Sequence, residues 1–315
     1  MKTKIVYVLV STDEDYYYEM LLLSLYSLRL YHPKKDAEVV LVMDADTNLR
    51  LISMNSPIFA DITPLVKDIP PEFTVIQRSR YLKTQLRQIV GGDFLYLDCD
   101  TLVCEPMNEI DSMSAAVGMV SDENDISITA DKKELCMRAG FIVAGNNQYY
   151  NSGVMYVKDT KAAYELFLKW HECWLQSLQN GVNQDQPALN YVNESIIYST
   201  IDAIEGIWNC QIYSPKGLEF LPTAKIVHYF AHTNSILRSS LFSHIKNNQG
   251  LESISERIAK APKTIGFTTF TARDSRVYDY LFSDDFYYYD AAPSIYKKSM
   301  VITKLLFKVA RLLRI

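Results

Sequence analysis

Asp98 and Asp100 close the apolar run Phe94-Leu95-Tyr96-Leu97, with one residue between them. Residues i and i+2 of an extended segment point to the same side, so the spacing sets two carboxylates together at the carboxyl end of a strand. Adjacent anions repel unless a cation lies between them, and hard oxygen ligands select Mg²⁺ or Mn²⁺. An ion held there can also grip a diphosphate. The plain alternative is two solvated turn residues.

A second group of charges precedes this pair. Arg80, Lys83 and Arg87 fall at i, i+3 and i+7 and would share one helix face. A cationic face just ahead of the aspartates suits a diphosphate and its leaving group, with Arg87 the more apt of the three to be merely solvated. Asn151-Ser152-Gly153 allows close backbone approach, since Gly153 has no side chain, or else forms an ordinary turn before a strand. Asp185 and Gln186 open a short helix, where Asp185 could be only an N-cap ahead of Pro187. A haloacid-dehalogenase-like phosphatase also ends a strand in Asp-x-Asp, with Asp98 as nucleophile. That pattern sits near the start of its domain and continues with Gly-Thr or a similar pair; here it lies about 100 residues in and continues Thr101-Leu102-Val103.

The elements that must position these groups alternate. Ile5–Val10, Glu38–Met43, Asp93–Leu97, Gly153–Val157 and Ala224–Phe230 read as strands. Tyr17–Tyr31, Ser79–Val90, Asp159–Leu178 and Pro187–Val192 read as helices. The alternation predicts an α/β fold with a mainly parallel central sheet flanked by helices. Ligands of such sheets lie beyond the carboxyl ends of the strands.

Seven segments, in order, resemble the landmarks of glycosyltransferase family eight, the retaining UDP-sugar transferases of the GT-A fold. They are Val10–Tyr16 after the first strand, Tyr81-Leu82-Lys83, Phe94–Asp100, Asn151–Val154, Asp185–Asn190, Trp208-Asn209 and Ile226–Tyr229. The resemblance covers the chain to about residue 232. It implies Asp98, Asp100 and His228 as ligands of Mn²⁺, with Mg²⁺ the alternative ion and His232 the alternative ligand. Asp13 and Asp15 would take the uracil or ribose, if they are not helix caps. Arg80, Lys83, Asn151 and Gly153 would line the donor site. Asp185 would recognise donor-sugar hydroxyls, and Gln186 would lie near the anomeric carbon. Two departures stand out: Pro187 replaces the third residue of Asp-Gln-Asp, and the Gly and Lys-Pro-Trp that follow the family's histidine are missing, with Arg238 as the substitute cation.

Composition bounds the rest. With 48% hydrophobic and 22% charged residues and only 11 Gly and 11 Pro in 315, the chain is neither disordered nor collagen-like. A net charge of −5 argues against nucleic acid as a partner. Five cysteines without metal-ligand spacing fit a reducing compartment. The start, Met1 to Val10, reads as a buried strand rather than a signal peptide, and nothing approaches a transmembrane span.

The expected organisation is a transferase domain over residues 1–235, an aromatic acceptor-side extension over 236–293 and a basic amphipathic helix over 294–315. Lys297, Lys304, Lys308 and Arg311 lie on one stripe of that helix. It is expected to anchor a cytoplasmic, peripheral enzyme on an anionic membrane surface, or else to dock on the core. The function expected from the resemblance is transfer of a hexose, galactose or glucose, from UDP to a hydroxyl of a surface glycan such as lipopolysaccharide or capsule. A UDP-sugar-binding protein without turnover is the alternative.

Overall fold

The structure, a computed structural model, describes residues 1–12, 17–143, 148–195, 200–211, 214, 216–220 and 223–228. Asp13, Asp15, His232, Arg238, the 236–293 extension and the 294–315 tail lie outside the described residues. Ten strands are described: β1 Lys4–Leu9, β2 Val39–Asp44, β3 Thr63–Lys67, β4 Phe94–Leu97, β5 Thr101–Val103, β6 Val117–Ser121, β7 Tyr150–Val157, β8 Ile201–Ala203, β9 Cys210–Gln211 and β10 Ile226–His228. The helices are α1 Tyr17–Tyr31, α2 Ala45–Ser53, α3 Val75–Thr84, α4 Leu86–Ile89, α5 Ala130–Arg138, α6 Lys161–Gln179, α7 Gln186–Ser195 and α8 Gly217–Phe220.

The chain forms two compact units. One holds a seven-stranded sheet of order β3-β2-β1-β4-β7-β6-β8. The expected mainly parallel sheet flanked by helices is what is found. β7 alone is reversed, pairing antiparallel with β4 and β6. β1 and β2 are buried almost throughout, which is why their sequences are continuous apolar runs rather than alternating ones.

Helix α6 covers this core with Ala163, Leu166, Phe167, Trp170, Trp174 and Ser177, one apolar stripe at helical spacing. The two tryptophans are fully buried, and complete burial of a large apolar side chain is worth about 1.5–3 kcal/mol. Helix α3 starts at a capping box in which Thr74 and Gln77 satisfy each other's backbone N–H groups.

Three local expectations are corrected. The helix expected over Ser79–Val90 breaks at Gln85 into α3 and α4, so Arg87 leaves the face of Arg80 and Lys83. Arg87 is fully buried instead, over the rings of Phe94 and Tyr164 at 5.0 and 4.8 Å, and it donates to Gly92 O at 2.8 Å. Gly92 carries a φ of +80°, a conformation that favours glycine, and this lets the chain turn from α4 into β4. Second, Asn151-Ser152-Gly153 lies inside β7 rather than in a turn before it. Third, β4 ends at Leu97, and Asp98-Cys99-Asp100 forms a turn before β5, so the strand alternation expected of the two aspartates does not apply.

The other unit holds a three-stranded sheet of order β5-β10-β9. β10 runs antiparallel to β5, with His228 opposite Thr101, and parallel to β9, with His228 opposite Gln211. Ser24 and Ser27 belong to this unit. The Ser24 hydroxyl meets that of Thr101 at 3.2 Å, and Val103 N–H donates to Ser27 Oγ at 2.9 Å. Gly206 packs under the Phe220 ring, and a Cβ there would stand 2.5 Å from it, so a larger residue would have to displace the ring. Among the described residues no helix is long and apolar enough to cross a membrane.

Candidate functional site

Reversal of β7 brings its first residues to the edge where β4 and β6 end. Asp98 N–H donates to Gly153 O at 2.8 Å, and Asp122 N–H, just past β6, donates to Tyr149 O at 2.7 Å. Asp98, Asp122, Asn151 and Ser152 therefore share one sheet edge, the place where α/β sheets bind ligands.

Four charges alternate at this edge. The Asp185 carboxylate, buried, takes the Ser152 hydroxyl at 2.8 Å and lies 3.1 Å from Arg80 Nε and 3.8 Å from Lys83 Nζ. The Lys83 ammonium, also buried, donates to Asp98 at 3.2 Å and sits 5.0 Å from the centre of the Tyr96 ring. The Tyr96 hydroxyl donates to the same Asp98 oxygen. Burial alone would raise the Asp185 carboxyl, but Lys83 and Arg80, with Ser152, more than offset it and hold it below the usual carboxylate range. Burial, then the Asp98 carboxylate, pushes the Tyr96 phenol well above its ordinary value, so it remains a proton donor.

The loop carrying Asp185 is clamped from α6. Trp170 Nε1 donates to Asp185 O at 2.9 Å and Trp174 Nε1 to Asn183 O at 3.1 Å. Asn190 locks α7 onto β7: its Oδ1 accepts Tyr150 N–H at 2.7 Å, and its Nδ2 donates to Tyr150 O at 3.2 Å. This places Gln186 Oε1 3.5 Å from Asn151 Nδ2. That amide donates at 2.8 Å to Asp122, which Lys132 balances at 2.9 Å.

In the three-stranded unit, His228 Nε2 lies 3.2 Å from Asp100 Oδ1, and His228 Nδ1 lies 3.1 Å from Asn209 Oδ1. Asp100 and His228 thus set a carboxylate oxygen and an imidazole nitrogen side by side, donors that suit a divalent ion.

The structure thus brings Asp98, Lys83, Arg80 and Asp185 into one network, and Asn151 beside Gln186. Gly153 contributes its backbone carbonyl. The N-cap alternative for Asp185 gives way to a carboxylate committed to Ser152, Arg80 and Lys83. Sequence reading missed Asp122, Lys132, Ser152, Asn190 and the anchoring role of Asn209. Of these, Ser152, Asn190 and Asn209 had a signal, as members of quoted segments; Asp122 meets Asn151 only through pairing of β6 with β7.

An α/β fold that gathers charged side chains at the carboxyl ends of its strands is the class this arrangement defines. The chain belongs to the nucleotide-diphospho-sugar transferase family, whose model matches residues 35–246, about two thirds of its length. Among curated proteins none matches by sequence. Among solved structures, mouse xyloside xylosyltransferase 1 in its apo form is similar at 12% identity and a TM-score of 0.49, over 72% of this chain and 97% of that one. The glycosyltransferase GlyE of Streptococcus pneumoniae TIGR4 is similar at 15% identity and a TM-score of 0.46, over 86% of this chain and 63% of that one. Its apo form aligns at 15% identity and a TM-score of 0.49, over 87% of this chain and 62% of that one. The chain thus spans less than two thirds of the GlyE chains.

Proposed function

We propose that this sugar transferase is a retaining, metal-dependent hexosyltransferase of family-eight type and GT-A fold. It would move galactose or glucose from a UDP-sugar to a hydroxyl of a surface glycan, of the lipopolysaccharide or capsule kind. The observation that carries the reading is the edge network of Asp98, Lys83, Asp185 and Arg80, with Asn151 and Gln186 beside it. Asp98, Asp100 and His228 would hold Mn²⁺, or Mg²⁺ in its place. Metal bound there would supply Lewis-acid stabilisation of the negative charge on the departing UDP.

Without ligand the two cations of the network are matched by two carboxylates. Lys83, which stands between Asp98 and Asp185, would offer its ammonium to a phosphate oxygen, and Arg80 would stay on Asp185. Asp185 would then hold donor hydroxyls, while Gln186, a poor nucleophile, lines the sugar's far face. With Asp185 committed to Ser152, Arg80 and Lys83, attack is assigned to the acceptor hydroxyl on the same face as the leaving group. Its proton passes to a β-phosphate oxygen of UDP. Asp13 and Asp15 are proposed to take the uridine.

The test is UDP release from a panel of UDP-sugars with Mn²⁺. Slow hydrolysis of one donor, lost on chelation, is expected. Tight UDP binding with no release from any donor would identify a binder without turnover, and neither binding nor release would sink the reading.

The basic 294–315 segment is proposed to hold the enzyme on anionic lipid at the cytoplasmic face, each basic group there contributing about 1 kcal/mol. Deleting it should leave donor hydrolysis intact and abolish co-sedimentation with anionic vesicles. Loss of folding on deletion would assign it to the core instead.

A further inference from the structure

We propose that Asn209 is the positioning residue of the His228–Asp100 pair: its side-chain carbonyl accepts Nδ1–H of His228 and so presents the Nε2 lone pair to a divalent ion. The inference rests on the metal reading of that pair and deepens it.

Asn209 is fully buried and His228 nearly so, and their polar atoms meet at 3.1 Å. A buried amide holds its geometry when its own backbone is fixed, and that of Asn209 is. Its N–H donates to Gly206 O at 3.2 Å, in a turn that Phe220 closes over. The next residue, Cys210, enters β9 opposite Val227, one residue before His228. Lys225 N–H donates to Ile207 O at 2.8 Å, and the Lys225 ammonium lies 5.5 Å from the Trp208 ring. The strand carrying the histidine and the turn carrying the asparagine are thus tied on both sides of the imidazole.

An imidazole ligates through one nitrogen only when the hydrogen sits on the other, and an outer hydrogen bond decides which. Nε2 is the nitrogen that faces Asp100, at 3.2 Å. With Nδ1–H committed to Asn209, Nε2 is the ligating atom. The opposite amide orientation would place the hydrogen on Nε2, against Asp100, and close the site to metal.

The experiment is Mn²⁺ titration of the metal-free full chain, followed by the electron paramagnetic resonance signal of the free ion. The variants are Asn209→Leu, near in shape but without an acceptor, and Asn209→Asp, which keeps one. Loss of an outer-shell partner typically weakens metal binding about 10–100-fold, and that loss is expected for Leu, while Asp should stay within a few-fold of the wild type. Leu binding Mn²⁺ as tightly as the wild type, or more tightly, overturns the inference with the metal site intact. Equal losses in Leu and Asp reject the acceptor role in favour of packing. A wild-type chain that takes up no Mn²⁺ fails the metal reading itself, and the inference falls with it.

Discussion

Asp100→Asn should lower Mn²⁺-dependent release of UDP from its donor by about 10²–10³-fold or more, the scale of losing one preorganised electrostatic partner of a developing charge. The substitution keeps the side chain's volume and removes only its negative charge. Asp100 also makes the cleaner test of the two aspartates. Asp98 is tied into Lys83 and Tyr96, so its loss disturbs a buried network as well as the proposed cation site. Asp100 Oδ1 faces His228 Nε2 at 3.2 Å, and a neutral amide there would take one carboxylate from the proposed metal site. Higher Mn²⁺ should recover part of the rate if the defect lies in affinity, and none if it lies in charge stabilisation. A variant that keeps wild-type turnover in the presence of a chelator would remove metal from the account altogether.

The strands were legible where burial is two-sided. Ile5–Val10 and Glu38–Met43 read correctly because central strands of a parallel sheet carry uninterrupted apolar runs. β3 was invisible for the opposite reason: it is a largely exposed edge strand that contains Pro64, and edge strands are where proline is tolerated. The helix expected over Ser79–Val90 shows the limit of periodicity. Nothing in its residue types marks the break at Gln85, yet that break sends Arg87 into the core and leaves Arg80 and Lys83 on the site. At the site, residue types and order located Asp98, Asp185 and Asn151, but not what neutralises them. Pairing Lys83 with both Asp98 and Asp185 requires the end of β4 to meet the loop before α7, a long-range contact that spacing along the chain does not encode. Asp122 needs β6 and the reversed β7 side by side before its carboxylate can meet Asn151.

Asp185→Ala should destabilise the chain by about 3 kcal/mol, toward the lower end of the ~3–5 kcal/mol typical of breaking a buried ion pair. The carboxylate is buried among Arg80, Lys83 and Ser152, so its removal strands positive charge rather than merely deleting a bond. Two features moderate the loss. Lys83 keeps Asp98 at 3.2 Å, and the Arg80 side chain, 32% exposed, can turn toward water. Asp185→Asn retains an acceptor for Ser152 and should cost less. Urea unfolding at unchanged slope measures both. The pH dependence follows from the lowered carboxyl: its stabilisation is fully present above the unfolded-state value of about 4 and is lost as pH falls through the lower folded-state value. Wild type should therefore lose stability in acid more steeply than Asp185→Asn, with the two curves converging below about pH 4. A Lys83→Met change made in the Asp185→Ala background should cost less than the same change in wild type, because the ammonium there has already lost one of its two carboxylates. If the two substitutions prove additive, Lys83 serves Asp98 alone, and the charge that Asp185 holds in place is that of Arg80.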